Sequence, residues 1–356
     1  MKIKHLNFSR LYIGLVNFVQ KYFPLFLVVI LLFLVGLGSA KGLALLRRYD
    51  ISPTDLFNFF REPKEKLDTT NSVTNFLLLG IRGQGSDSPN LSDTIIVLSY
   101  NHAKQQASLV SIPRDLWVPS MQAKINTAYH YGEEASPGAG ISLAQASILE
   151  ITGLPVHYTA VVDFALFKDV VDLLGGIDVQ NETAFTDTEF PIPGRENAYP
   201  VTSRFETISF PAGKVHLDGE TALKYVRSRH SEGDSGTDYD RSRRQQATLS
   251  GIKEKLLTKE FLLDSKKTGR LFDLINENLI TNLRPSLYPT LAKLAFNLRG
   301  KPINSVGLSD RPDSNGVTIL FHPSPYLYKG EWVLIPKQNN WNTLKQYLKN
   351  KIEGTQ

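Results

Sequence analysis

Between Lys21 and Lys41 the chain carries no charge, and residues 22–40 read YFPLFLVVILLFLVGLGSA. Nineteen residues in helical conformation reach about 28 Å, close to the roughly 30 Å hydrocarbon core of a bilayer. A buried core helix would normally keep a polar face, and this run has none. Residues 42–46 can lengthen the span, so 22–46 are expected to form a transmembrane anchor behind a basic tail, 1–21. A cleavable signal peptide competes, because Gly38-Ser39-Ala40 resembles a small-residue cleavage site. The run exceeds the roughly 7–15 apolar residues of such a leader, which favours a retained anchor.

The flanking charges orient that anchor. Lys2, Lys4, Arg10 and Lys21 precede it with no acid among them; Lys41, Arg47 and Arg48 follow it, then Asp50 and Asp55. The positive-inside rule favours a cytoplasmic N-terminus, which puts everything beyond residue 50 outside the cytoplasm. The chain has no cysteine, which agrees with export and removes disulfides, thiolate zinc sites and a cysteine nucleophile. The net charge of +5 invites a nucleic-acid reading, but residues 1–70 hold ten Lys/Arg against five Asp/Glu and the remainder is balanced. A neutral exported part is no general nucleic-acid binder.

Residues 47–72 are polar, contain Pro53 and Pro63, and read as a stalk. Beyond them, short apolar runs at 75–80 (NFLLLG), 94–100 (TIIVLSY), 108–112 (SLVSI) and 156–162 are bounded by turn residues, as buried strands are. Helical spacing appears at 141–151, 164–174, 217–226 and 239–257, with Gly153 and Pro155 closing the first. The alternation predicts an α/β fold with a central mixed β-sheet flanked by helices on both faces. Domain boundaries are expected at 73–260 for the main folded unit. Residues 261–356 read as a C-terminal extension of two helices, about 270–280 and 286–298, and a few strands, without a nameable motif.

Polar residues gather in three places. The loop at 80–94 is glycine-rich and ends in Asp93-Thr94, but it lacks the Gly-Lys-Ser/Thr ending of a P-loop and no helix follows directly. Ser111-Ile-Pro-Arg114-Asp115 closes the third strand, with Lys124 shortly after, and strand ends in α/β sheets are where ligands collect. The densest cluster places five arginines between Arg227 and Arg244. Arg227 and Arg229 end one helix, while Asp238, Arg241, Arg244 and Gln245 open the next; Arg241 and Arg244 share a face. Arginine forks suit phosphate better than lysine does. Arginines with a few aspartates suggest Mg²⁺ shared with phosphates. Scattered histidines argue against zinc, and no G-x-S-x-G supports a serine nucleophile.

Taken in order, Leu77–Gly80 (LLLG), Ser92–Ile95 (SDTI), Ser111–Asp115 (SIPRD), Lys124–Tyr129 (KINTAY), Gly219–Arg229 (GETALKYVRSR) and Asp238–Gln245 (DYDRSRRQ) resemble the LytR-CpsA-Psr family. The likeness spans about residues 73–255 behind a membrane anchor. It implies a pocket for a polyprenyl tail and transfer of a glycopolymer from a polyprenyl-pyrophosphate carrier to a peptidoglycan acceptor, with Mg²⁺ or Mn²⁺. Carried over residue by residue, Asp93 is the metal-binding aspartate. Arg114 and Asp115 are the arginine-acid pair, and Asp238 is the acid proposed as base or metal partner. Arg227, Arg229, Arg241 and Gln245 contact pyrophosphate, with Lys124 and Arg244 as further candidates on the same rim. One position departs: members often carry Gly-x-Asp after the first strand as a second metal carboxylate, and here that place is Arg82, with Asp87 the nearby substitute. A hydrolase of the same lipid pyrophosphate and a non-catalytic envelope-binding or regulatory membrane protein are the alternative readings.

Overall fold

The computed structural model describes residues 67–195, 197–228, 238–298, 301–313 and 316–354. The expected tail, anchor and most of the stalk lie outside these residues. Among the described residues no helix is long and apolar enough to cross a membrane. The packing and the site below belong to the compact unit Glu62–Leu283 with Thr290–Gln356.

In chain order the first half runs β1 (Val73–Ile81), β2 (Ser92–Asn101), β3 (Gln106–Ser111), β4 (Trp117–Val118), β5 (Ala123–Lys124), α1 (Ala128–Ala135), α2 (Gly140–Thr152), β6 (Tyr158–Val162) and α3 (Phe164–Leu173). There follow β7 (Ile177–Asn181), β8 (Phe185–Pro191), β9 (Phe205–Phe210), β10 (Gly213–Leu217), α4 (Gly219–Arg227), α5 (Asp238–Leu256), α6 (Lys259–Leu263) and α7 (Ser265–Asn278). The last part holds β11 (Ile280–Thr281), α8 (Tyr288–Asn297), β12 (Asn304–Gly307), β13 (Leu320–Phe321), β14 (Ile335–Pro336) and α9 (Trp341–Glu353).

Six strands form one mixed sheet in the order β11-β6-β1-β2-β3-β12. The β1-β2-β3 meander is antiparallel, β6 joins β1 in parallel and β12 joins β3 in parallel. The central strand reads apolar at nearly every position because both of its faces are covered. Alternate side chains have different fates. Leu77, Leu79 and Ile81 of β1, with Ile95 and Val97 of β2, pack solidly against Ala144, Ile148 and Ile151 of α2 and Leu344 and Leu348 of α9. Leu78, Gly80, Thr94 and Ile96 turn to the other face, where α3, α5 and α7 stand off and leave hollow space. Gly153, at φ 73°, accepts the left-handed conformation that ends α2 and frees the chain to re-enter the sheet as β6.

The segment read as an extension is part of this architecture. It supplies β11 and β12 to the two sheet edges, and Leu344 and Leu348 are fully buried. The two-stranded ladders β7-β10 and β8-β9 have no counterpart in the sequence reading. They carry a second core, in which the rings of Phe185 and Tyr225 each lie against Phe210 at 5.1 Å between centroids.

Candidate pyrophosphate and lipid site

The site begins with a register shift. β1 and β2 pair Gly80 with Thr94 and then Ile81 with Ser92, so Asp93 is the extra residue of a bulge. A bulge re-aims a side chain, and the Asp93 carboxylate lines a cavity of about 160 Å³ with Arg82, Thr94, Phe164, Asp187, Arg227, Arg241 and Gln245. Arg82 Nε donates to Asp93 Oδ2 at 3.0 Å, and Arg114 Nη1 donates to Oδ1 at 2.7 Å.

The other cavity residues arrive from distant elements. Asp163 caps α3 by accepting the Leu166 N–H at 2.8 Å, which sets Phe164 at the helix start. Arg227, the last residue of α4, lays its guanidinium 4.6 Å from the centre of the Phe164 ring and 5.3 Å from that of Phe190. Arg241 and Gln245, one turn apart on α5, are both buried. Gln245 Nε2 donates to Thr94 Oγ1 at 2.8 Å.

Thr94, Phe164, Val226 and Gln245 also line a second cavity, of about 260 Å³, which is almost wholly apolar and is walled by Leu78, Ile96, Leu249 and Ile252 among others. A third, of about 320 Å³, shares Leu78, Ile96 and Leu249 with the second and continues along the sheet towards Leu294 and Leu298. A charged chamber therefore shares its wall with a long apolar hollow, and a ligand with an anionic head and a hydrocarbon tail matches both.

Not every expected residue reaches the charged chamber. Lys124 lies between Asp115 Oδ1 at 3.5 Å and Glu331 Oε2 at 3.3 Å, away from the cavity walls. Asp115 is buried behind Arg114, whose Nε lies 3.4 Å from Asp115 Oδ2. This pair orients the arginine that holds Asp93. Arg244 turns away although it shares a helix with Arg241. Its Nε and Nη2 donate to the carbonyls of Tyr225 and Ser228 at 3.1 and 2.7 Å, and burial pushes its guanidinium below the ordinary arginine value. The end of α4 needs donors for its last carbonyls, and Arg244 supplies them. Asp87 is exposed on its loop. Arg229 and the Asp238 side chain lie outside the described residues.

Asp187 of β8 was not singled out in the sequence. It is 1% exposed, its Oδ2 accepts from the Ser228 hydroxyl at 2.7 Å, and its Oδ1 accepts from the Glu189 N–H at 3.0 Å. The available signal was an acid two residues from Phe185, on the same inward-facing side of a strand.

The divalent ion implied by the family resemblance needs carboxylates facing it. Here both oxygens of Asp93 accept from guanidinium groups, both oxygens of Asp187 are engaged, and Arg82 stands where the second acid would be. Among the described residues no three or more His, Cys, Asp or Glu gather as a metal site. A dication beside Asp93 would sit against two fixed positive charges. The described residues do not fit the ion.

Residues 57–349 match the profile of the LytR_cpsA_psr family. A protein of Enterococcus faecalis named polyisoprenyl-teichoic acid–peptidoglycan teichoic acid transferase TagU is 29% identical over 246 residues, 67% of this chain and 70% of its own length. Its Bacillus cereus namesake is 29% identical over 213 residues, 59% of this chain and 60% of its own. The crystal structure of B. subtilis TagV superposes with a TM-score of 0.56 at 22% identity, covering 80% of this chain and 99% of that one. A structure described as TagT bound to LI-WTA gives 0.52 at 24%, covering 81% and 94%. These two share the fold.

Proposed function

The chain belongs to the LytR_cpsA_psr family, and from that premise we propose that it moves a glycopolymer from a polyprenyl-pyrophosphate carrier to peptidoglycan at the outer face of the cell membrane. The observation that carries this reading is the shared wall of Thr94, Phe164, Val226 and Gln245 between the arginine-lined chamber and the apolar hollow. The hollow takes the prenyl tail and the chamber takes the pyrophosphate. Arg227 and Arg241 supply the planar, always-charged forks that suit phosphate oxygens, and Arg82 adds a third positive side chain to the same lining.

In the reaction, an acceptor hydroxyl oxygen bonds to the glycan-bearing phosphorus as its bond to the bridging oxygen breaks. The polyprenyl phosphate leaves with that oxygen, and the hydroxyl proton passes to the departing phosphate or to water. Positive groups fixed before substrate arrives favour the charge that gathers on the leaving phosphate. The names of the two teichoic acid transferases support the transfer, and the resemblance of the motifs to the family supports the membrane anchor at residues 22–46.

The test is release of polyprenyl phosphate from a lipid-linked glycan by the full chain in detergent, with and without peptidoglycan. Release that needs the acceptor supports transfer. Equal release without it makes the protein a hydrolase, and none under either condition removes the catalytic reading.

A further inference from the structure

We propose that Arg82 stands in this chain for a divalent cation, so that the site binds its pyrophosphate without metal. The proposal rests on the carrier reading above and concerns how the anionic head is held. Arg82 directly follows β1, and its position is set by a tight turn. The Gly83 N–H donates to the Pro89 carbonyl at 3.0 Å, and Gly83 has φ 83° with so little room that an added Cβ would lie 2.9 Å from Asp163 Cβ. With the backbone held there, the Arg82 side chain reaches the bulged Asp93, donates Nε to its Oδ2, and lines the same chamber as Arg227 and Arg241.

A metal ion bridging Asp93 and pyrophosphate would neutralise charge and fix the acid against the ligand. The guanidinium provides both. It is permanently charged, and its planar fork has donors enough to serve a carboxylate and a phosphate oxygen together. Arg114 closes the other side of Asp93 at 2.7 Å, so an ion entering between them would have to displace a guanidinium from an oxygen it already binds. The Arg82 side chain is 36% exposed at the chamber wall, so its replacement need not unfold the protein.

The test uses the purified full chain in detergent and two independent readings. In the first, binding of geranylgeranyl pyrophosphate is measured by calorimetry in EDTA and in Mg²⁺. The wild-type affinity is expected to be the same in both. Arg82→Asp is expected to lose about tenfold or more in EDTA and to recover in Mg²⁺, whereas Arg82→Lys stays metal-independent. In the second, uptake of Mn²⁺ by the protein alone is followed through the free-ion electron paramagnetic resonance signal. Arg82→Asp is expected to take up Mn²⁺ and the wild type none at this site, with Asp93→Asn as the control. A wild type that needs Mg²⁺ for the lipid, or takes up Mn²⁺ in a manner lost on Asp93→Asn, overturns the proposal, as does an Arg82→Asp protein that takes up none. If no variant binds the lipid under any condition, the carrier reading fails, and the Mn²⁺ result alone decides the metal question.

Discussion

The Gln245 side-chain amide donates to Thr94 Oγ1 at 2.8 Å exactly where the charged chamber meets the apolar hollow. One hydrogen bond thus ties α5 to β2 at the point where a ligand's head would pass into its tail. Thr94→Val keeps the shape and removes the acceptor. It should cost about 1 kcal/mol of stability, read from denaturant midpoints, and should weaken carrier binding without abolishing it.

Arg227 and Arg244 should fail in different ways. Arg227→Ala removes a cation from the chamber lining and is expected to slow polyprenyl phosphate release about a hundredfold with little change in melting temperature. Arg244→Ala leaves the Tyr225 and Ser228 carbonyls without their donor in a buried place. It should cost about 2–4 kcal/mol of stability, visible in thermal unfolding before any assay is run. Equal loss of stability in both variants would contradict this division of roles.

Tail length should matter because the two apolar cavities meet at Leu78, Ile96 and Leu249. Leu249→Trp is expected to fill that junction. It should weaken binding of long polyprenyl pyrophosphates about tenfold or more and leave a short prenyl chain nearly unaffected, as titration with carriers of graded length would show.

Stability should also depend on His157. Its ring Nδ1 accepts the Asn75 main-chain N–H at 3.0 Å while the His157 main-chain N–H donates to the Asn75 carbonyl, a reciprocal pair where β6 approaches β1. Burial holds the imidazole below its ordinary 6.5. The folded chain therefore binds its proton less readily than the unfolded chain does. The stabilisation is complete above about pH 6.5 and declines as pH falls towards the folded value. Urea midpoints across this range should slope in the wild type more than in His157→Gln; parallel slopes would remove the assignment.

Much of the sheet is legible in the sequence because its signals are local. The run Asn75-Phe-Leu-Leu-Leu-Gly80 can bury both faces only as a central strand, and Gly153 ends α2 because glycine takes the left-handed turn required there without a Cβ penalty. The ladders β7-β10 and β8-β9 were not legible. Their strands are short, they mix charged with apolar residues, and they become strands only by pairing with partners up to 40 residues away, as Ile177 does with Leu217 of β10.

The sequence by itself determined the strands β1, β2, β3 and β6 with the helices α2, α3, α4 and α5, the uncharged run at 22–40 and the gathering of arginines near α4 and α5, since each follows from neighbouring residues. Only the tertiary structure decided which arginines face the chamber. Arg241 and Arg244 lie three residues apart on one helix, yet the first lines the cavity and the second is drawn off by the carbonyls at the end of α4. Lys124 is likewise held by Asp115 and Glu331, the latter more than two hundred residues away in the chain. A cation goes where the nearest acceptors lie, and those acceptors are brought by segments that a local pattern does not connect.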